Sequence, residues 1–451
     1  MNANKGINKR MVVGLGMTGL SAARWCQRQG YAFDLCDTRS ELKNADAVRS
    51  EFNGSELFYG DDFSADLLKK YDQLIVSPGV ALALPEIQQA IAAGVEITGD
   101  IDLFKQTCNK PVIAITGSNG KSTVTTLVGE LLQAAGKSVA VGGNIGVPAL
   151  DLPEADIYVL ELSSFQLETT TDLGAEAAVI LNLSEDHMDR YQGMDDYLTA
   201  KQRIFQQAKH VVCNRDDAAT MSPQTSADLS FGLNEPQGPT EYGLRLINGE
   251  RFICRGDQVL VGSSELRIKG LHNLANVMAS LALVELAGVD VVTVIDALKS
   301  FAGLDHRCQW LGEKGGIAFY NDSKGTNVAS TVAAIEGLGP EISGKVILLA
   351  GGVGKGQDFS PLAGPCAQFV STAMVYGQDQ QQIANALHAE CAVEAFADMS
   401  SAFQAALATA EQGDVILLSP ACASFDQFGN FVERGKYFAE LARAELQEAE
   451  A

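Results

Sequence analysis

The chain has 451 residues and a formal net charge of -23 at pH 7, with 46% hydrophobic and 20% charged residues. This length exceeds what one hydrophobic core usually supports, so we expect three domains. The composition is globular, and the acidic charge disfavours binding to nucleic acid or to an anionic membrane. No apolar run is long enough to cross a bilayer. Nine cysteines without a Cys-x-x-Cys pair predict reduced thiols in a cytoplasmic protein.

Short apolar runs alternate with alanine-rich helical segments along most of the chain, which predicts parallel sheets built from β-α units. A first group runs from MVVGLG to VEITG and predicts a domain at residues 1–98. A second group begins at PVIAITG and predicts a central domain at residues 99–303. A third group begins at GIAFYN and predicts a domain at residues 304–451.

The first glycine motif reads GLGMTG from Gly14 to Gly19, between a predicted strand and a predicted helix. This arrangement is typical of a Rossmann-like domain, in which a phosphate binds at the helix N-terminus. With Asp34 and Asp37 beyond it, the motif fits a dinucleotide-dependent oxidoreductase. It fits another nucleotide, or a glycine turn needed only for packing, equally well. The motif therefore predicts a fold and leaves the ligand open.

The second glycine motif reads TGSNGKST from Thr116 to Thr123 and follows the strand PVIAIT. It approaches the phosphate-loop pattern Gly-x-x-x-x-Gly-Lys-[Ser/Thr], but Ile115 stands at the first glycine position and the loop is shorter. Backbone amides and Lys121 are suited to phosphates, and Ser122 or Thr123 is suited to Mg²⁺. We therefore predict that the central domain is P-loop ATPase-like.

Polar residues follow the other predicted strands of the central domain, namely Asn144, Glu161 and the segment Asn182 to Arg190 with Asp189. In an open α/β sheet, ligands bind at the carboxyl ends of the strands. Glu161 and His187 are therefore candidate metal ligands, although an exposed carboxylate and a surface histidine are the alternatives. By itself, the segment YLTAKQRIF predicts that its lysine, Lys201, is exposed to solvent.

Between about Leu229 and Lys269 the runs become short and hairpin-like, with Asn-Gly and Arg-Gly turns. The predicted fold class is thus α/β with three domains. The first and third domains are Rossmann-like, and the central P-loop domain carries a small antiparallel appendage. In the third domain, polar and basic groups again follow the strands, at Asp322 to Lys324, Gly351 to Lys355 and Ser419 to Phe431.

Several of these segments resemble the Mur ligases, which build peptidoglycan precursors, and the related folylpolyglutamate synthetases. TGSNGKS matches the family's T-G-[ST]-N-G-K-[ST], so the displaced glycine is the family's own form of the loop. GLHNLANVMAS, LDHR and NDSKGTN resemble later family segments in the same order, with Asp305 where the family has proline. Within the family, GLGMTGLSAA, SPGV, GGNIGVPAL, LELSSFQLE, EDHMDRY and SPACASFDQFGNFVERG resemble the member that joins D-glutamate to UDP-N-acetylmuramoyl-L-alanine.

The resemblance implies a set of ligand-binding residues, distributed over the three domains. For ATP it implies Gly117, Ser118, Asn119, Gly120, Lys121, Ser122, Thr123, Asn273, Arg307 and Asp322. For the UDP substrate it implies Leu15, Thr18, Asp37, Thr38, Arg39, Gly79, Asn144 and His187. For D-glutamate it implies Thr326, Lys355, Ser424 and Phe431.

The resemblance also implies two metal sites and the catalytic residues Lys121, His187 and Lys201. One Mg²⁺ would lie between Ser122 and Glu161, and a second would involve His187 and Lys201. An ammonium group cannot coordinate a cation. In the family this lysine is carbamylated, which turns it into an anionic oxygen ligand.

The implied activity is that of an ATP-dependent ligase that forms an amide through an acyl phosphate and releases ADP and phosphate. We expect a cytoplasmic monomer with ATP and Mg²⁺ as cofactors, small-molecule substrates, and neither nucleic acid nor membrane as a partner. A sibling ligase that adds another amino acid remains an alternative, as does a nucleotide-binding protein without catalysis. An NAD-dependent oxidoreductase would leave TGSNGKST and Glu161 without a role.

Overall fold

The computed structural model describes residues 7, 9–188, 190–221 and 226–447. Three β-sheets succeed one another along the chain, with helices between the strands. No disulfide joins any of the nine cysteines, all of which lie in these ranges. No helix in the same ranges has the length and apolarity that a membrane crossing requires. We name the domains by the predicted boundaries at 98 and 303, which stay predictions.

The first sheet has five parallel strands, separated by four helices. The strands are β1 (Arg10–Val13), β2 (Phe33–Asp37), β3 (Leu57–Tyr59), β4 (Gln73–Val76) and β5 (Glu96–Thr98). The helices are α1 (Met17–Gln29), α2 (Ala45–Glu51), α3 (Ala65–Leu68) and α4 (Pro85–Ala92). The order β3-β2-β1-β4-β5 reverses between β1 and β4, and such a switch point is where open α/β sheets bind ligands.

The central sheet has nine strands, and its core strands are buried apolar segments, as expected for a sheet covered by helices on both faces. Its strands are β6 (Val112–Thr116), β7 (Val139–Gly143), β8 (Ile157–Glu161), β9 (Ala177–Ile180), β10 (His210–Asn214), β11 (Leu229–Phe231), β12 (Glu241–Ile247), β13 (Glu250–Arg255) and β14 (Gln258–Gly262). Its helices are α5 (Asp100–Thr107), α6 (Lys121–Ala134), α7 (Ser164–Glu168), α8 (Met194–Gln202), α9 (Leu271–Leu286) and α10 (Ile295–Ser300).

The predicted appendage is an extension of this sheet. The spatial order is β14-β13-β12-β11-β10-β9-β6-β8-β7, and β11 and β12 pair in parallel, as the core strands do. The antiparallel pairings are those of β13 with β12 and with β14. The turn between β12 and β13 has positive φ at both Asn248 and Gly249, which is the expected geometry of an Asn-Gly hairpin. The hairpin prediction is correct, and the structure adds that the hairpins continue the main sheet.

The third sheet has six strands, of which only the edge strand β15 is antiparallel to its neighbour. Its strands are β15 (Gln309–Lys314), β16 (Ile317–Asn321), β17 (Val346–Gly351), β18 (Val370–Tyr376), β19 (Ala392–Phe396) and β20 (Val415–Leu418). Its helices are α11 (Val328–Leu338), α12 (Ala363–Phe369), α13 (Gln380–Leu387), α14 (Met399–Thr409) and α15 (Phe431–Gln447). The predicted three-part α/β fold is confirmed.

The first and central sheets are joined by a continuous apolar core. Trp25 of α1, Ile101 of α5 and Val112 of β6 belong to one cluster of buried hydrophobic residues. The third sheet has its own clusters on its two faces, which include Leu348 and Ile416. Because buried apolar surface holds packed elements together, the first two sheets form the more extensively joined pair.

Candidate active site

A cleft of about 820 Å³ lies at the carboxyl ends of the central strands and is also lined by residues of the third domain. Many of the predicted site residues line it together, including candidates for phosphate, metal and amino-acid binding. They are Ser118, Asn119, Gly120, Lys121, Ser122, Thr123, Asn144, Glu161, His187, Lys201, Asn273, Arg307, Asp322, Thr326, Lys355 and Phe431.

The phosphate loop connects β6 to α6, and its last glycine has no room for a side chain. Gly120 has φ 80°, and a Cβ built there would lie 2.4 Å from Oδ1 of Asn276. The first amides of a helix lack intrahelical acceptors, so the start of α6 suits an anion. Gly117 precedes the part of the loop that lines the cleft, and its carbonyl oxygen accepts hydrogen bonds from Lys121 and Lys201.

The half-buried Lys121 and the buried Lys201 converge on this loop. Nζ of Lys121 donates to the carbonyls of Gly117 at 2.9 Å and Ser118 at 2.8 Å. Nζ of Lys201 donates to the same Gly117 carbonyl at 2.9 Å and to Oγ1 of Thr116 at 3.3 Å. Burial lowers the pKa of both lysines, and for Lys201 the charge of Lys121 lowers it further. The prediction of an exposed Lys201 is wrong, because only 1% of this residue is accessible.

The environment of Lys201 follows from the face of α8 on which it lies. Tyr197 is four residues earlier on the same helix face and is also buried. Nζ of Lys201 lies 4.5 Å from the centre of the Tyr197 ring. The helical spacing therefore explains why Lys201 is buried, although its neighbours in the sequence are polar.

Glu161 and Ser122 form the centre of the candidate metal site. Oγ of Ser122 donates to the buried Glu161 carboxylate at 2.5 Å, and Nδ2 of Asn144 donates to its other oxygen at 2.6 Å. Nη2 of Arg307 donates to Oγ of Ser122 at 2.7 Å. A carboxylate next to a hydroxyl at a phosphate loop fits Mg²⁺, which binds few protein oxygens and completes its shell with phosphates and water.

His187 lies at another part of the cleft, with φ 59° and a side chain that is 43% exposed. Its ring packs against Phe165, with the ring centres 4.7 Å apart. Asp189 lies outside the described residues. Among the described residues, no group of three or more His, Cys, Asp or Glu side chains could by itself hold a metal. A second metal therefore requires ligands from outside this set, such as substrate oxygens or a modified Lys201.

The third domain contributes a buried acid and two bases to the cleft. Asp322 accepts hydrogen bonds from the Cys308 amide at 3.0 Å and Oγ of Ser419 at 2.7 Å, and burial raises its pKa to about 7. Burial also lowers the pKa of Arg307. Nζ of Lys324 lies 4.7 Å from the centre of the Phe431 ring, and burial, with help from Arg307, lowers the pKa of Lys324 to about 8.

Within the described part of the chain, two hydrogen bonds join the phosphate loop region to the residues beyond 303. One is the bond from Arg307 to Ser122, and the other runs from Oγ of Ser330 to Oδ1 of Asn119 at 2.7 Å. A phosphate on the loop would thus be in reach of groups from both domains. Of the D-glutamate candidates, Ser424 is buried and is not among the residues that line the cleft.

Asn144 and His187 line this cleft, whereas the UDP candidates of the first domain lie apart from it, around the carboxyl ends of β1, β2 and β4. The Asp37 carboxylate accepts from the Leu15 amide at 2.7 Å and from Nε of Arg39 at 2.7 Å. Burial opposes ionisation of Asp37, but these hydrogen bonds outweigh it and lower its pKa. Leu15 is buried, and its amide and carbonyl are hydrogen-bonded to Asp37 and Arg39. Thr18 is partly exposed, and Thr38 and Gly79 are exposed near the same edge.

Sequence reasoning missed several cleft residues as site candidates, notably His272 and Asn276. The signal for Asn276 was present, since it is the second asparagine of the family segment from Gly270. His272 is half-buried, and its enclosed Nδ1 has no hydrogen-bond partner among the described residues. Lys324, which the sequence places in the polar group after a strand of the third domain, also lines the cleft.

Three family descriptions match the chain in succession. They are the Mur ligase MurD-like N-terminal domain at residues 8–99, the Mur ligase middle domain at residues 115–284, and the Mur ligase glutamate ligase domain at residues 306–422. The chain is 49% identical to the UDP-N-acetylmuramoylalanine--D-glutamate ligase of Pseudomonas syringae pv. tomato, over 96% of this chain and 97% of that protein. It is 47% identical to the ligase of the same name from Methylobacillus flagellatus, over 98% of this chain and 97% of that protein.

Solved structures with the same fold are more distant in sequence. The MurF ligase of Thermotoga maritima in complex with ADP superposes with a TM-score of 0.61 at 17% identity, covering 99% of this chain and 97% of that one. The UDP-N-acetylmuramate-alanine ligase MurC of the same organism superposes with a TM-score of 0.60 at 20% identity, covering 97% of this chain and 100% of that one. The extent of these matches, with the geometry of the cleft, identifies this chain as a member of the Mur ligase family.

Proposed function

We propose that this protein is an ATP-dependent ligase that joins D-glutamate to the alanyl carboxylate of UDP-N-acetylmuramoyl-L-alanine, in the synthesis of peptidoglycan precursors. The single observation that supports this most strongly is the cleft shared by the phosphate loop and the third domain. The near full-length similarity to ligases of that name supports the choice of substrates. The reaction would give the amide, ADP and phosphate.

The phosphate end of ATP would bind on the loop from Gly117 to Thr123. Lys121 would exchange its two loop carbonyls for phosphate oxygens and neutralise their charge. Arg307 lies against Ser122 and would contact the same phosphates from the other domain. Asn273 and Asp322 would hold the nucleoside part of ATP. The buried carboxylate of Asp322 would accept a hydrogen bond from a hydroxyl group of the nucleoside.

Ser122 and Glu161 would hold one Mg²⁺ together with phosphate oxygens. When bound, this ion would neutralise the charge that accumulates on the transferred phosphoryl group. Carbamylation requires a neutral amine, and Lys201 fits this requirement because burial and Lys121 lower its pKa. A carbamate there, with His187, would supply the oxygen and nitrogen ligands of the second metal site.

The two organic substrates would approach this centre from opposite sides. The uridine diphosphate end would bind around Asp37 and Gly79, with Asn144 and His187 next to the muramoyl-alanine end. D-glutamate would bind near Thr326, Lys355 and Phe431, with Lys355 paired to a carboxylate. Ser424 would take part through its backbone or after a local movement, because its side chain is buried.

In the reaction, an oxygen of the alanyl carboxylate attacks the γ-phosphorus of ATP and ADP leaves. The resulting acyl phosphate has the leaving group that a carboxylate lacks. The amine of D-glutamate then attacks the carbonyl carbon, and the tetrahedral intermediate expels phosphate as the amide forms. The residues act by holding these atoms in line and by balancing charge, the main sources of rate in phosphoryl transfer.

An isotope experiment tests this pathway. UDP-N-acetylmuramoyl-L-alanine labelled with ¹⁸O at both oxygens of its alanyl carboxylate is turned over with ATP and D-glutamate, and the released phosphate is analysed by mass spectrometry. We expect one labelled oxygen in each phosphate, because the carboxylate oxygen leaves with it. Unlabelled phosphate, or no D-glutamate-containing product, contradicts the proposal.

A further inference from the structure

Arg190 belongs to the segment EDHMDRY, but the proposed chemistry gives it no role. Its side chain is only 14% exposed. Nη1 donates to the carbonyl of Pro78 at 2.7 Å, and Nη2 donates to the carbonyl of Val80 at 3.2 Å. Nη2 also donates to Oε2 of Glu168 at 2.9 Å. One guanidinium thus connects the first domain to the central domain.

On the first-domain side, the contacts reach the candidate UDP site. Pro78 and Val80 flank Gly79, in the loop that follows β4. This loop packs against the first glycine motif, since a Cβ built on Gly14 would lie 2.6 Å from Cγ2 of Val80. The amide of Ser77 also donates to the carbonyl of Val13 at 2.8 Å. Arg190 therefore holds the backbone of a loop that is already packed within the first domain.

On the central side, the contacts reach the segment that carries His187. The Arg190 guanidinium stacks on the Phe165 ring at 3.9 Å, and the same ring packs against His187. The hydroxyl of Tyr191 donates to Oε1 of Glu168 at 2.5 Å, so both oxygens of this carboxylate are used. The Arg190 amide donates to the His187 carbonyl at 2.9 Å. His187, Arg190 and Tyr191 are thereby held against α7.

We infer that Arg190 is a positioning residue that sets the distance between the UDP-binding loop at Ser77–Val80 and the His187 segment. This inference rests on the proposed function, in which a single substrate must reach from one to the other. A rigid link keeps both ends of that substrate in register with their sites. The general gain from such positioning is large, because misplacing a reacting group by about 1 Å can cost about a hundredfold in rate.

The contacts explain why this residue is an arginine. Its flat, forked group donates to three acceptors in different directions and also stacks on an aromatic ring. A lysine keeps the charge, but a single ammonium on a flexible stem cannot stack in the same way or reach all three acceptors from one fixed plane. Arg190→Lys therefore removes the link while it keeps the charge and most of the side-chain volume.

Arg203→Lys is the matched control. Nη1 of Arg203 donates to the carbonyl of Glu168 at 2.7 Å, so this arginine also contacts the end of α7. No described hydrogen bond joins Arg203 to the Ser77–Val80 loop. The control measures how much substrate affinity falls when a contact to α7 is removed while the hydrogen bonds from Arg190 to the first domain remain. Thermal unfolding of both variants first establishes that each is folded.

The test is calorimetric titration of each full-length variant with UDP-N-acetylmuramoyl-L-alanine and, separately, with UDP. UDP occupies only the first-domain end, whereas the full substrate spans both ends. For Arg190→Lys we expect the affinity for the full substrate to fall at least tenfold and the affinity for UDP to stay within threefold. For Arg203→Lys we expect both affinities to stay within threefold.

Two results would overturn the inference. An equal loss for UDP and for the full substrate means that Arg190 only helps to build the UDP pocket. A loss of affinity for the full substrate below threefold means that the Arg190 link does not help the substrate to reach both of its sites. If the unmodified protein binds neither ligand, the proposed function fails instead, so the two failures are distinguishable.

Discussion

Two lysines of the candidate active site share one acceptor, the carbonyl oxygen of Gly117. Each lacks a carboxylate partner among the described hydrogen bonds, so burial disfavours its charge. Lys121 is suited to exchange its carbonyl acceptors for phosphate oxygens. Lys201 is suited to react as a neutral amine. One local environment thus prepares two lysines for two different roles.

Replacing Lys121 should slow the reaction strongly. We expect Lys121→Ala to lower kcat by at least about two orders of magnitude, roughly 3 kcal/mol of barrier, as for other preorganised electrostatic groups. Lys137→Ala, an exposed lysine beyond the end of the same helix, is the control and should leave kcat unchanged. A Lys121→Ala enzyme with near-normal turnover would refute the role of this loop.

His272 should make stability depend on pH. Burial lowers its pKa from 6.5 to about 4, so the unfolded chain binds the proton more readily between these values. The stability linked to the neutral ring is therefore complete above pH 6.5 and is lost as the pH falls toward 4. At 1.36 kcal/mol per pKa unit, about 2 kcal/mol should be lost between pH 7 and pH 5.

Denaturant unfolding of His272→Gln at these two pH values measures this effect. We expect the variant to lose about 2 kcal/mol less than the unmodified protein over the same interval. His388→Gln, which changes an exposed histidine, should behave like the unmodified protein. Identical pH dependence in all three proteins would show that His272 is not the group responsible.

At the scale of elements, helix α6 has a left-handed glycine near each end. Gly120 at the start has φ 80°, and Gly136 beyond the end has φ 79°. A Cβ on Gly120 would meet Asn276, whereas a Cβ on Gly136 would meet nothing within 4 Å. The two positions therefore share backbone strain and differ in steric clash and in distance from the phosphate site.

This difference can be measured with Gly120→Ala and Gly136→Ala. Each substitution should cost about 1 kcal/mol or more from backbone strain. Only Gly120→Ala should also weaken ATP binding, by at least tenfold, because the clash displaces the loop or Asn276. Equal ATP affinities in the two variants would indicate that the loop can accommodate a side chain.

Regular local patterns made much of the fold predictable. Apolar runs that end in polar residues identified the parallel strands, and the glycine motifs identified the loops after β1 and β6. The parallel pairing of β11 with β12 was not predictable in the same way, since it depends on partners distant in the chain and on a shared sheet edge. Lys201 was misjudged for a related reason, because its burial depends on packing of α8 against the phosphate loop.

At the scale of the whole molecule, candidate binding residues lie at the strand ends of all three sheets, namely Asp37, Glu161 and Asp322. The first and central domains are joined by an apolar core and by Arg190, which suits them to bind the two ends of one molecule. The third domain meets the phosphate loop through Arg307 and Ser330. This arrangement explains why nucleotide, acceptor and amino acid would meet only at the central cleft.

The most direct test of this account is phosphate release from ATP in the presence of UDP-N-acetylmuramoyl-L-alanine and each member of a panel of amino acids. We predict release that requires D-glutamate, accompanied by one equivalent of the amide product. Sibling ligases share the phosphate loop, so the choice of amino acid separates them from this one. Release that requires a different amino acid, or that proceeds without the UDP substrate, would contradict the account.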